Sequence, residues 1–72
     1  MKLLGRPWGP RTITQVYQVS VPKKLLDQVN IQKHDEVYFA VSADNPGVIC
    51  MLPGKRTTLT PTEDGEMQAV VT

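Results

Sequence analysis

The side chains able to do chemistry in this 72-residue chain are few, and their spacing restricts what they can do. His34 is the only histidine and Cys50 the only cysteine, and sixteen positions separate them. There is no glycine-rich phosphate loop, and no pair of carboxylates stands beside a nucleophile. The expectation is that the chain is not an enzyme and uses no cofactor. A metal site would need carboxylates or a second subunit to complete the ligand set around His34, so no metal is expected. Cationic chemistry is the better represented kind. Lys2, Arg6, Arg11, Lys23 and Lys24 all fall in the first 24 residues, which contain no acid. The remainder holds three bases against seven acids, and the net charge is +1. Such polarity points to an anionic partner for the N-terminal part. The plainer alternatives are a basic arm without a partner and two solvated lysines on an exposed turn.

The element that must position these cations is Tyr17–Leu26. Val19 and Val21 alternate with Gln18 and Ser20, the period of a half-buried strand. Pro22 cannot donate to a ladder but suits the first position of a helix. Lys23 and Lys24 then fall in the first helical turn, where the macrodipole disfavours cations and a phosphate partner would explain them. Leu25, Leu26 and Val29 form the apolar stripe of about two turns of helix. Asn30 follows where a left-handed closing residue is wanted.

Upstream, residues 1–10 read as a basic N-terminal arm, extended or turning, because Gly5, Pro7, Gly9 and Pro10 oppose a helix. Trp8 either stacks on a base or guanidinium or pins the arm over apolar surface. Arg11–Thr14 and Gln18–Val21 read as two strands with a bend between them, or as one longer bulged strand. Downstream, Ile31 anchors a corner and Lys33–Glu36 forms a polar turn in which Asp35 accepts backbone N–H bonds. Val37, Phe39 and Val41 share one face of a strand. Asp44-Asn45-Pro46-Gly47 is a turn, with Pro46 presetting φ and Gly47 supplying positive φ. Val48–Leu52 returns as a strand apolar on both faces, which places it centrally or at a dimer seam, with Cys50 a small core residue. Residues 54–72 form a polar, flexible C-terminal tail, with a short strand near Met67–Val71.

A chain of this length has one small core, worth no more than ~3–5 kcal/mol, so association with a second copy is expected. No internal disulfide is possible with one cysteine. No run approaches the ~18 apolar residues of a membrane span. The opening Met1–Gly5 is too short for a signal peptide, so a cytoplasmic location without membrane association is expected.

Residues 11–53, about three fifths of the chain, resemble the AbrB/MazE/SpoVT family of swapped-hairpin DNA-binding domains. The family pattern is a Gly-Gln-Val-Thr-Ile-Pro-Lys type string, a short helix ending in Leu-Gly, an Ile, a Gly-Asp pair and a hairpin. Here the string stands as Tyr17-Gln18-Val19-Ser20-Val21-Pro22-Lys23, and the helix closes on Val29-Asn30 before Ile31. His34-Asp35 holds the Gly-Asp position, and Val37–Val41 and Val48–Leu52 hold the hairpin. Arg11 matches a basic position of the family's first strand. The departures are Tyr17 and His34 in place of glycine, Leu26 and Asp27 where many members carry arginines, and Gln18 where some carry arginine.

The resemblance implies a mainly β fold with one short helix, closed as a swapped-hairpin β-barrel by an interleaved homodimer. It implies a cytoplasmic, nucleoid-associated transcriptional regulator that binds double-stranded DNA. Arg6, Arg11, Lys23 and Lys24 would face phosphates, helped by N–H groups at the helix start. Gln18, with Gln15, Thr12 or Thr14, would reach base edges. A related alternative is an antitoxin of the MazE type, binding DNA with its barrel and a toxin with its C-terminal tail. A further alternative is a small β module that binds protein and no nucleic acid.

Overall fold

Turn chemistry and alternation account for the part of the chain that pairs. The computed structural model describes all 72 residues and divides them into two units, residues 1–30 and 31–72. The chain is mainly β with one short helix, in the order α1 (Lys23–Gln28), β1 (Val37–Val41), β2 (Ile49–Pro53), a single 3-10 turn (Gly54–Arg56), β3 (Thr57–Pro61) and β4 (Met67–Val71).

Within residues 31–72, β1 and β2 pair antiparallel, with Phe39 opposite Met51 and Val41 opposite Ile49. The connection closes with the Val48 amide donating to the Asn45 carbonyl at 2.9 Å. Pro46 and Gly47 occupy its centre as anticipated, but Gly47 does not take positive φ. Negative φ at both central positions is the geometry of a type I turn, which Pro46 presets without needing the freedom of glycine. Both faces of the pair carry apolar side chains, Val37, Phe39, Val41, Ile49, Met51 and Pro53 on one and Tyr38, Ala40, Cys50 and Leu52 on the other. Cys50 is half-buried rather than a core residue.

β3 and β4 form a second antiparallel pair, with Leu59 opposite Ala69 and Pro61 opposite Met67. The strand anticipated near Met67–Val71 is present. Its partner β3 lies in residues 54–72, where the sequence leads one to expect a polar, flexible tail; threonine is a good strand former, and the stretch pairs. The three-residue loop Glu63-Asp64-Gly65 ends on Gly65 at φ 86. This is the geometry of a turn closed by a left-handed glycine. The Asp64 carboxylate accepts from the Thr62 hydroxyl and from the Glu66 amide, which holds its carboxyl below the usual aspartate range.

The corner before β1 behaves as its residue types require. The Gln32 amide donates to Asp35 Oδ2 at 2.8 Å, and the Asp35 amide returns to the Gln32 carbonyl at 3.0 Å. That backbone bond, followed by Lys55 Nζ at 3.4 Å, keeps the Asp35 carboxyl below its usual range. Ile31, at 5% exposure, is the only buried apolar side chain of the chain.

Residues 1–30 are organised differently. Pro22 (φ −60, ψ 132) caps α1 from outside the helix, so the helix starts at Lys23 and spans six residues, shorter than the two turns anticipated. Asn30 closes it in the left-handed region at φ 57. Arg11–Thr14 and Gln18–Val21 do not form strands, contrary to the pattern of their side chains. A ladder needs a partner strand, and the amides of Thr12, Ile13, Val19 and Val21 have none within the chain. A single chain forms two two-stranded sheets and no closed barrel.

Candidate nucleic-acid interface

One closed loop and the helix that follows it position Arg11, Lys23 and Lys24, whereas Lys2 and Arg6 lie on the N-terminal arm. The Thr14 amide donates to the Gln18 carbonyl at 2.9 Å, and the Tyr17 amide donates to the Thr14 carbonyl at 2.9 Å. The Gln18 amide is taken by Thr14 Oγ1 at 3.2 Å. These bonds fold the chain back on itself, so that the segment from Arg11 runs beside the segment ending at Ser20. Arg11 Nη1 reaches the Ser20 carbonyl at 3.5 Å, a long contact that leaves most of the guanidinium donors free.

Between the two segments lies an open cleft of about 490 Å³ lined by Arg11, Thr12, Thr14, Gln18, Val19 and Ser20. Its lining offers both donors and acceptors. One guanidinium supplies forked donors, two threonine hydroxyls donate or accept, and the Gln18 carboxamide makes no hydrogen bond within the chain. No carboxylate lines it, so an anion entering meets no like charge. Residues 1–30 as a whole carry Lys2, Arg6, Arg11, Lys23 and Lys24 against Asp27 alone, whereas residues 31–72 hold three bases and six acids.

Of the five residues anticipated as DNA-binding, Arg11 and Gln18 share the cleft. Lys23 and Lys24 open α1, and Arg6 lies on the N-terminal arm outside the residues that line the cleft. Lys23 Nζ pairs with Asp27 Oδ2 at 3.1 Å, one helical turn on, with both side chains largely in solvent. An exposed pair of this kind is worth less than ~0.5 kcal/mol, so a phosphate can displace Asp27 at little cost. With six residues, α1 is too short for its dipole to be a binding site, and the lysine ammonium groups are the groups that matter there.

Thr12 and Thr14 line the cleft and Gln15 does not. The Ser20 carbonyl, which steadies Arg11, escaped sequence reasoning because nothing in a serine's identity reports what its backbone oxygen accepts. Tyr17 stood out in the sequence only as a departure from glycine. In the structure it sits at the tip of the loop, 90% exposed, at φ 63.

A second, smaller cleft lies in the other unit, lined by His34, Glu36, Val37, Tyr38, Gly54 and Lys55. Its charges are mixed, and no group of three or more His, Cys, Asp or Glu side chains in the chain is arranged to hold a metal ion. No helix is long and apolar enough to cross a membrane. Comparison with known proteins finds no matching family model, no matching curated protein and no matching solved structure.

Proposed function

We propose that the protein is a dimeric DNA-binding transcriptional regulator of the swapped-hairpin, AbrB-like kind, acting at the nucleoid through its N-terminal unit. The observation that carries the DNA-binding part is the acid-free cleft joining Arg11 and Gln18 within a unit of five bases and one acid. Arg11, Arg6, Lys23 and Lys24 hold phosphates, and Gln18 with Thr12 or Thr14 reads base edges.

The backbone supports the fold assignment. Tyr17, Asn30 and His34 are the three non-glycine residues with positive φ, at 63, 57 and 71. They are also the three positions at which the resembling family pattern places glycine. Side-chain identity has diverged there while the backbone requirement that glycine serves remains.

Dimerisation is supported by what a single chain leaves uncovered. Phe39 is 69% exposed and Ile49 73% exposed in a hairpin apolar on both faces. The unpaired strand-like segments around Arg11 and Val19 await a ladder partner. A second copy with interleaved hairpins answers both needs and doubles the basic surface.

The test is binding to random duplex DNA across a salt series, with molar mass measured in the same buffer. A dimer neutralising ~6 phosphates gives a log–log slope of about −5. Replacing both Lys23 and Lys24 by Ala removes four contacts from the dimer, two per copy, so it reduces that slope by about 3.5 and weakens all duplexes alike. A dimer without affinity at low salt, or a monomer, overturns the proposal in its DNA-binding or its fold component respectively.

One observation favours a second reading, an antitoxin of the MazE type. The β3–β4 hairpin gathers Leu59, Pro61, Met67, Ala69 and Val71 on one face, an apolar surface suited to a protein partner such as a toxin.

A further inference from the structure

We propose that Tyr17 itself contacts DNA, its ring entering a groove of the duplex and packing against sugar and base edges beside Arg11 and Gln18. This inference rests on the DNA-binding reading above and deepens it.

Three observations converge on this residue. Tyr17 is the most exposed aromatic side chain of the chain, 90% in solvent, and Val16 next to it is 62% exposed. Its backbone lies in the left-handed region at φ 63, where a side chain is strained and glycine or asparagine would be at ease. The loop's backbone bonds hold this conformation, but the side chain does nothing to offset its strain, because a ring so exposed packs on little and its hydroxyl makes no hydrogen bond. Backbone outliers whose own side chain gains nothing inside the chain are concentrated where function needs the geometry.

Placement supplies the partner's chemistry. The bonds between Thr14 and Gln18 hold the loop closed, so the ring is presented on a fixed tip rather than a wandering one. Arg11 and Gln18 line the cleft at the base of that loop. A ring at the tip with a guanidinium and a carboxamide below it can engage a groove with its apolar body while the polar groups hold phosphate and base edge. Tyrosine suits the task because it offers a large rigid surface with little rotamer freedom to lose. The contact is non-electrostatic, so it acts equally at every salt concentration, unlike those of Lys23 and Lys24.

The experiment compares the unsubstituted chain with Tyr17→Asn and Tyr17→Phe for thermal stability, molar mass and duplex binding across a salt series. Asparagine accepts the left-handed backbone and removes the ring, and phenylalanine keeps the ring and removes the hydroxyl. Tyr17→Asn is expected to keep the mass, to melt at the same temperature or higher, and to bind roughly tenfold more weakly at every salt concentration, with the slope unchanged. Tyr17→Phe is expected to stay within about threefold of the unsubstituted chain. If Tyr17→Asn lowers the melting temperature or breaks the dimer, the ring is covered by a second copy and the proposal fails. If Tyr17→Asn binds as tightly as the unsubstituted chain, the ring has no role in binding and this inference alone fails. If the unsubstituted chain binds no duplex at low salt, the DNA-binding reading fails and takes this inference with it.

Discussion

Residues 31–72 carry their hydrogen bonds in two antiparallel hairpins, whereas residues 1–30 hold a six-residue helix and one closed loop. The apolar content of the two regions is not what separates them. Ile13, Val16, Val19 and Val21 have the β-branched character of strand residues, as do Val37, Val41 and Ile49. What differs is the return path. Asn45-Pro46-Gly47 and Glu63-Asp64-Gly65 each bring a second strand back beside the first within the same chain. The only reversal in the N-terminal unit, Thr14 to Gln18, places the arms together without a ladder. A strand pattern without a local partner remains extended and exposed, with its polar groups left to water or to another chain. The charges divide the same way, with the cations concentrated in the region that lacks internal pairing.

If the hairpin region supplies its own backbone pairing and the seam to a second copy, the largest effect should come from placing a charge on that seam. Phe39→Asp puts a carboxylate on a side chain 69% exposed in one chain and, in the proposed dimer, covered by its partner. Dimer stability should fall by at least about 3 kcal/mol, read as a shift to monomer mass on dilution. An unchanged mass would show that Phe39 faces water in the assembly too.

A smaller effect is expected from Gly54, the glycine of the hairpin region at which an added side chain would meet backbone. A Cβ added at Gly54 would lie 2.7 Å from the Glu36 carbonyl oxygen, the atom that accepts the Gly54 amide at 2.9 Å. Both atoms are backbone, so the strand ends must separate. Gly54→Ala should cost about 1–3 kcal/mol in denaturant unfolding. A negligible cost would mean that the strand ends separate without loss of pairing.

The smallest effect is that of acid. Asp35 and Asp64, both in the hairpin region, are held below the ordinary aspartate value of 3.8 by backbone and side-chain donors. A carboxyl depressed in the folded state contributes stability that is complete above its unfolded pKa and disappears as pH falls through the folded one. Stability should therefore be level on this account down to the ordinary aspartate value and decline below it. Asp35→Asn should flatten part of that decline in an acid titration followed by circular dichroism. An undiminished decline would assign the acid sensitivity elsewhere.

Much of the local structure was legible from residue types because short-range chemistry decides it. Asn30 after the apolar stripe announced a left-handed helix end, and Asp35 two residues before β1 announced an N–H acceptor. The alternation of Val37–Val41 and the proline turn announced the first hairpin. Gly47 was given a role that Pro46 alone fulfils, because the same dipeptide serves two turn types. The β3–β4 hairpin was harder to see. Each of its strands alone brings only two or three apolar residues to the shared face, and that face emerges only once Asp64-Gly65 turns the chain and pairs them. In the candidate site, Arg11 and Gln18 were legible by charge and position. The cleft that unites them depends on bonds from Thr14 to residues three and four positions on, which no side-chain pattern reports.

Sequence alone determined the charge polarity, the absence of a disulfide within the chain, the helix boundaries to within a residue or two and the turn at Pro46. Each depends on residue identity or on neighbours a few positions away. Tertiary structure decided that Thr57–Pro61 pairs with Met67–Val71, that the strand-like segments around Arg11 and Val19 stay unpaired, and that Tyr17 stands exposed on a strained backbone. Those outcomes turn on whether a hydrogen-bonding partner lies within reach, and reach is set by the path of the whole chain rather than by the residue that needs the partner.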